Sequence, residues 1–138
     1  MPAKDTYHQA VKNALTKDGW KITFDPYPIK YKEVKLFADL AGEKTISATR
    51  EGRKIVIEIK SFLSRSPMRE FETALGQYLI YQTFLSITYP SSKVYLAVNH
   101  KIYEKFFVQM AIELIIEKYK VSVLVVDIQK EEIIKWIS

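Results

Sequence analysis

The chain has 138 residues, a length suited to one domain, and its 48% apolar and 27% charged residues exclude disorder as the default. It contains no cysteine, which excludes disulfides and thiolate metal centres, and no run near the ~18 apolar residues of a membrane span, so a cytoplasmic protein without a membrane partner is expected. Its net charge of +5 is uneven: residues 1–60 hold 12 Lys/Arg against 8 Asp/Glu, a basic half that suits a polyanion such as DNA or is simply a solvated surface.

Residues 3–18 read as an amphipathic helix, with Tyr7, Val11, Ala14 and Leu15 at helical spacing and Gly19 placed to end it. Residues 20–24 alternate as a strand, and Asp25-Pro26-Tyr27-Pro28 breaks it. Residues 34–40 alternate again, with Lys35, Phe37 and Asp39 on one face. A shorter strand at 45–50 and a turn at Glu51-Gly52 lead into 53–60, the cleanest alternation in the chain. There Ile55, Ile57 and Ile59 point one way, and Lys54, Val56, Glu58 and Lys60 the other. Ser66 followed by Pro67 signals the start of a helix running to about Ile87. A strand at 93–98, a helix at 101–118, a strand at 121–128 covered on both faces, and a short closing helix at 130–137 complete the order.

The chemistry concentrates at Glu58-x-Lys60. Two residues apart on one strand face, their Cα atoms lie about 6.6–6.8 Å apart, so both side chains reach a shared substrate. The isoleucine face behind them is held against a core, which makes the acid–lysine face rigid. A meander through 45–50 brings the strand bearing Asp39 beside this one as a sheet neighbour. Two carboxylates so placed repel unless a cation lies between them. Hard oxygen ligands of this kind suit Mg²⁺, which keeps several waters and takes one or two carboxylates plus phosphate oxygens. A lysine beside the metal orients or deprotonates water and stabilises charge on a scissile phosphate, which is the chemistry of metal-assisted phosphodiester hydrolysis. Glu-x-Lys alone also occurs on many solvent-facing strands. The preceding Asp39 and a following capped helix with Gln77 and Tyr81 on one face narrow the reading.

The arrangement Asp39…Glu58-Ile59-Lys60…Gln77-x-x-x-Tyr81 resembles the PD-(D/E)XK nuclease superfamily, its Gln-x-x-x-Tyr resembling the RecB-like branch. The resemblance implies an α/β (α+β) fold with a restriction-endonuclease-like αβββαβ core, a central mixed sheet flanked by helices; residues 1–98 match that order with one added strand. It implies that Asp39 and Glu58 bind Mg²⁺ or Mn²⁺, that Lys60 assists the hydrolytic water, and that Gln77 and Tyr81 border the site. The residue before the aspartate is Ala38 where the superfamily pattern has proline. The phrases KDTYHQAVKNALTKDGW, EVKLFADLAGEK, IVIEIKSFLSRS, FETALGQYLIYQ and VYLAVN are similar to the XisH family of cyanobacterial fdxN element excision controlling factors. This implies a role in DNA rearrangement alongside a site-specific recombinase and an XisI-like partner.

Other features keep two readings. His8 lies with Asp5 and Lys12 on one polar stripe of the first helix. By resemblance to superfamily members with an acid there, His8 or Asp5 serves the metal site; otherwise the stripe is a solvated face. Lys12 belongs to the same basic half. Arg65 and Arg69 flank the start of the helix at Pro67, where phosphate is attracted, and Ser61 is placed to touch one; ordinary surface charge and a strand end explain the three equally. Two functions stand side by side: a Mg²⁺-dependent DNA endonuclease, and a catalytically silent accessory module binding DNA or a partner protein for a recombinase. Pairing of two copies through an apolar surface of helix 101–118 is open.

Overall fold

In the computed structural model, which describes residues 3–36 and 45–138, the first helix α1 (Ala3–Lys17) buries Ala10, Val11, Ala14 and Leu15 at helical spacing. It ends in a Schellman motif. Gly19, at φ +92°, donates to the Thr16 carbonyl, and Trp20 donates to that of Leu15, satisfying carbonyls the helix leaves open. The chain then enters β1 (Lys21–Phe24).

The next stretch departs from the expected sheet. Residues Ile29–Tyr31 (β2) and Val34–Leu36 (β3) pair with each other as a separate two-stranded hairpin turned at Lys32, whose φ is +52°. The described part of the predicted 34–40 strand is therefore not a member of the central sheet. Packing accounts for this. Tyr27 and Ile29 are buried in the core under the long helix of residues 67–88, and Tyr31 stacks on Phe84 of that helix at 5.7 Å, so the hairpin gains apolar burial away from the sheet. Asp39 lies outside the described residues, as does the Asp5 side chain.

The expected β hairpin follows as β4 (Thr45–Arg50) and β5 (Arg53–Ile59), joined by Glu51 at φ +51° and Gly52 at φ +79°, the two left-handed residues of a type I′ turn. Ser66 caps α2 (Pro67–Thr88), its Oγ accepting from the Arg69 amide at 3.2 Å. The helix carries the chain back so that β6 (Lys93–Asn99) runs parallel to β5. Omitting the β2–β3 hairpin, the order from α1 to β6 is αβββαβ, the predicted core.

The predicted 101–118 helix is broken into three. A short turn, α3 (His100–Ile102), is capped by Asn99 Oδ1, which accepts from the Lys101 amide. A π-helical turn at Tyr103–Phe107 follows, and α4 (Met110–Tyr119) begins only after Gln109 adopts extended ψ. The adjacent Phe106 and Phe107 lie in this wider turn, and both are buried in the core.

β7 (Val123–Asp127) lies parallel to β6, and Glu132–Ile137 forms an antiparallel strand, β8, in place of the predicted closing helix. Ile133 and Trp136 pack on one core and Ile137 on the other, across a register irregularity at Val125/Val126 that breaks simple alternation. The resulting six-stranded mixed sheet has the order β1-β4-β5-β6-β7-β8. One face, with Ile46, Ile55, Ile57, Ile59, Leu124 and Val126, is covered by α1; the other, with Val56, Leu96, Val98, Val123 and Val125, by α2 and the segment from Tyr103 to Tyr119. Among the described residues no helix is long and apolar enough to cross a membrane.

Candidate functional site

Strand alternation places Glu58 with Val56 on the α2 side of β5, while Ile55, Ile57 and Ile59 fill the α1 side, as the sequence predicts. Glu58 is registered between Thr45 of β4 and Leu96 of β6. Lys60 lies just past the strand but stays in the ladder, its amide donating to the Ala97 carbonyl at 3.1 Å. Glu58 is 2% exposed and Lys60 6%. Removing such ions from water costs several kcal/mol each before any partner compensates, so a purely solvated role for this Glu-x-Lys pair is excluded. The two sit towards the carboxyl end of β5 where it runs parallel to β6, the end at which open α/β sheets gather ligands.

The chain leaves this point under constraint. Ser61 is 4% exposed, and Phe62 adopts φ +53°, an outlier for a bulky residue. Its ring is held by Phe107 at 5.5 Å and Phe106 at 6.1 Å, and both of these also contact Phe71 at the start of α2. Aromatic packing thus fixes the exit from the Glu58–Lys60 segment, in the pattern of local strain held by surrounding structure.

The remaining predicted residues divide between the two faces. Tyr81 is buried in the α2-side core with Val56 and Leu96. Gln77, one turn earlier on α2, is half-buried, and its Oε1 is out of reach of solvent and accepts no hydrogen bond from the described residues. Arg65 and Arg69 are exposed around the first turn of α2. His8 and Lys12 belong to α1, on the opposite face, and both reach Asp25: His8 Nε2 at 2.9 Å and Lys12 Nζ at 2.6 Å. Partial burial pushes the Asp25 carboxyl up, but the hydrogen bonds and charge of Lys12 and His8 outweigh that and hold it below the usual carboxylate value. The polar stripe on α1 is therefore neither bare nor uniformly solvated; Asp25, read from sequence only as part of a break, organises it. Asn99 ends β6, caps α3, and its Nδ2 donates to the Tyr7 hydroxyl at 3.3 Å. An Asn before a helical run is the signal that marks such a cap. Among the described residues no three His, Cys, Asp or Glu side chains converge as a metal site.

Comparison with known proteins gives the wider frame. The model of the XisH protein family matches residues 1–134. The chain belongs to the XisH family. Its αβββαβ core also recurs in solved relatives. An fdxN element excision controlling factor protein from Anabaena variabilis is 42% identical, with 97% of this chain and 99% of that one covered, at a TM-score of 0.89. An XisH family protein from Nostoc punctiforme PCC 73102 is also 42% identical, over 97% of this chain and 100% of that one, at a TM-score of 0.90. No curated protein matches the chain.

Proposed function

We propose that this XisH-family protein acts on DNA during excision of a DNA element, through Mg²⁺- or Mn²⁺-dependent phosphodiester hydrolysis at Asp39, Glu58 and Lys60. The observation that carries the reading is the burial of Glu58 and Lys60 together on one face of β5. Placing ionisable groups there is costly without a task for them. Glu58 offers a hard carboxylate oxygen, which fits a divalent cation of this class, and Asp39 would supply the second carboxylate. Asp39 lies six positions before Thr45, the register partner of Glu58, a length of chain that spans at most about 20 Å.

The cation, when bound, lowers the pKa of a coordinated water and screens phosphate charge. Glu58 orients that ion from a rigid strand. Lys60 takes or directs the proton of the attacking water and stabilises the charge growing on the phosphate. Gln77 brings an acceptor and Tyr81 a hydroxyl to the border of the site, and His8 lies behind it on α1. Arg65 and Arg69, exposed around the first turn of α2, contact the DNA backbone, whereas Ser61 is buried and Lys12 is held by Asp25 on the opposite face.

Incubation with supercoiled DNA and Mg²⁺ or Mn²⁺ tests this. Native protein is expected to cut, and Lys60→Ala to lose about 10²–10⁴-fold in rate. Equal cutting by the two proteins would remove Lys60 from the chemistry. The relative from Anabaena variabilis is named for controlling excision, which favours a second reading: a catalytically silent module that binds DNA or an XisI-like partner for a site-specific recombinase. DNA or partner binding by native protein that cuts nothing, and that survives Glu58→Ala, would establish it. Self-association is a further part of the proposal, through Met110 and Leu114, which are 87% and 68% exposed on α4.

A further inference from the structure

The end of the sheet where β5 and β6 begin is chemically unlike the end that holds Glu58. There Trp20, Trp136 and Tyr95 line a cavity of about 180 Å³ together with Arg50, Arg53 and Asp18. The two indoles lie 5.8 Å apart, and Tyr95 meets Trp136 edge-on at 4.9 Å. The Arg53 guanidinium rests 5.6 Å from the centre of the Trp20 ring. Arg50 pairs with Asp18 at 3.3 Å, both side chains remaining about two-fifths exposed, so the pair is loose enough to be exchanged for a stronger anion. Gly19 makes room for Arg50, since a Cβ there would come within 3.3 Å of its Nε. Trp20 is 4% exposed, yet its indole N–H, a donor only, has no hydrogen-bond acceptor among the described residues. Lys21 and Lys93 begin β1 and β6 at the same end of the sheet, registered with Thr49 of β4 and Ile55 of β5.

We infer that this cavity binds single-stranded DNA, taking one base against the partly exposed Trp136, which Trp20 backs, while Arg50 and Arg53 hold the adjoining phosphates. The cavity is smaller than the ~300–1,000 Å³ of sites for drug-sized ligands, which limits the inserted group to about one ring system. Aromatic faces stack any base. Two arginines against one aspartate leave a positive rim, and arginine grips phosphate bidentately. A duplex keeps its bases stacked inward and cannot offer one to the cavity without unpairing. The site is independent of the hydrolytic reading. Arg53 is on the α1 side of β5, and five residues of strand, about 17 Å, separate it from Glu58.

The chain contains two tryptophans, both in this cavity, so intrinsic fluorescence reports its occupancy directly. Titration of the full chain with a twelve-residue oligodeoxythymidylate at low salt is expected to quench the emission. Arg53→Ala, and separately Arg50→Ala, should each weaken the midpoint at least tenfold with the far-ultraviolet circular dichroism retained. Each should also flatten the dependence of log K on log salt by about 0.7, the slope for one lost phosphate contact on a single strand. Lys60→Ala should leave the quench as it is in native protein. An absent quench at concentrations on the order of 1 mM nucleotide, equal affinity for the matching duplex or for poly-glutamate, or loss of the quench in Lys60→Ala would each overturn the inference.

Discussion

Asp25 shows how one carboxylate acquires a task from its neighbours. It accepts from His8 and Lys12 of α1 and ties the exit of β1 to the helix. With its side chain 18% exposed, the group is shielded enough for those contacts to matter. Because its carboxyl is held below the ordinary value of 3.8, the folded state binds a proton there less readily than the unfolded chain does. Its stabilising contribution is thus complete above that value and is lost as pH falls through the lowered one. Asp25→Asn is expected to cost about 1–3 kcal/mol at neutral pH, as for hydrogen bonds to charged groups, with the deficit shrinking under acid conditions. Urea unfolding of both proteins at pH 7 and near pH 3 measures it; a deficit that grows in acid would contradict the assignment.

At the scale of elements, the two helices that frame the α2 side differ in how openly the sequence specifies them. α2 begins at a Ser-Pro pair whose hydroxyl accepts from the Arg69 amide. Ser66→Ala is expected to lower stability by about 0.5–2 kcal/mol, read from denaturant unfolding, while Ser66→Gly costs only a few tenths. The segment from His100 to Tyr119 has helical periodicity throughout, yet the adjacent Phe106 and Phe107 both enter the core beside Phe62 and Phe71. They do so from a π-helical turn followed by a break, and their packing couples that turn to the exit of the Glu58–Lys60 segment. β8 is the converse: Gln129, Lys130 and Glu131 contain no Gly or Pro, and the local turn signal rests on Asp127. The turn forms because the Asp127 carboxylate accepts from the Lys130 amide at 3.0 Å and Glu131 takes φ +55°.

On the scale of the molecule, one sheet separates two chemistries. The carboxyl end of β5 holds a buried acid and lysine on the α2 face, and the opposite end carries arginine and tryptophan on the α1 face. α4 presents a third surface, where Met110 and Leu114, a turn apart, face outward. If copies pair there, Met110→Glu combined with Leu114→Glu is expected to halve the mass measured by light scattering with little change in melting temperature, since neither side chain is in the core. A native protein that is already monomeric at high concentration would end that part of the proposal.

Sequence alone determined most of the framework: α1, the hairpin of β4 and β5, the cap and length of α2, β6 and β7, and the placing of Glu58 and Lys60 opposite three isoleucines. These are local matters of period, turn residue and cap, which need no knowledge of distant partners. Tertiary contacts decided the rest. Tyr27, Ile29 and Tyr31 drew a hairpin onto α2 and kept Val34–Leu36 out of the central sheet; Phe106 and Phe107 entered the core from a π-helical turn in place of one continuous helix; an unpaired edge of β7 turned the last residues into a strand. The cavity of Trp20 and Trp136 belongs to the same class, because side chains 116 residues apart in the chain become neighbours only when the sheet is assembled.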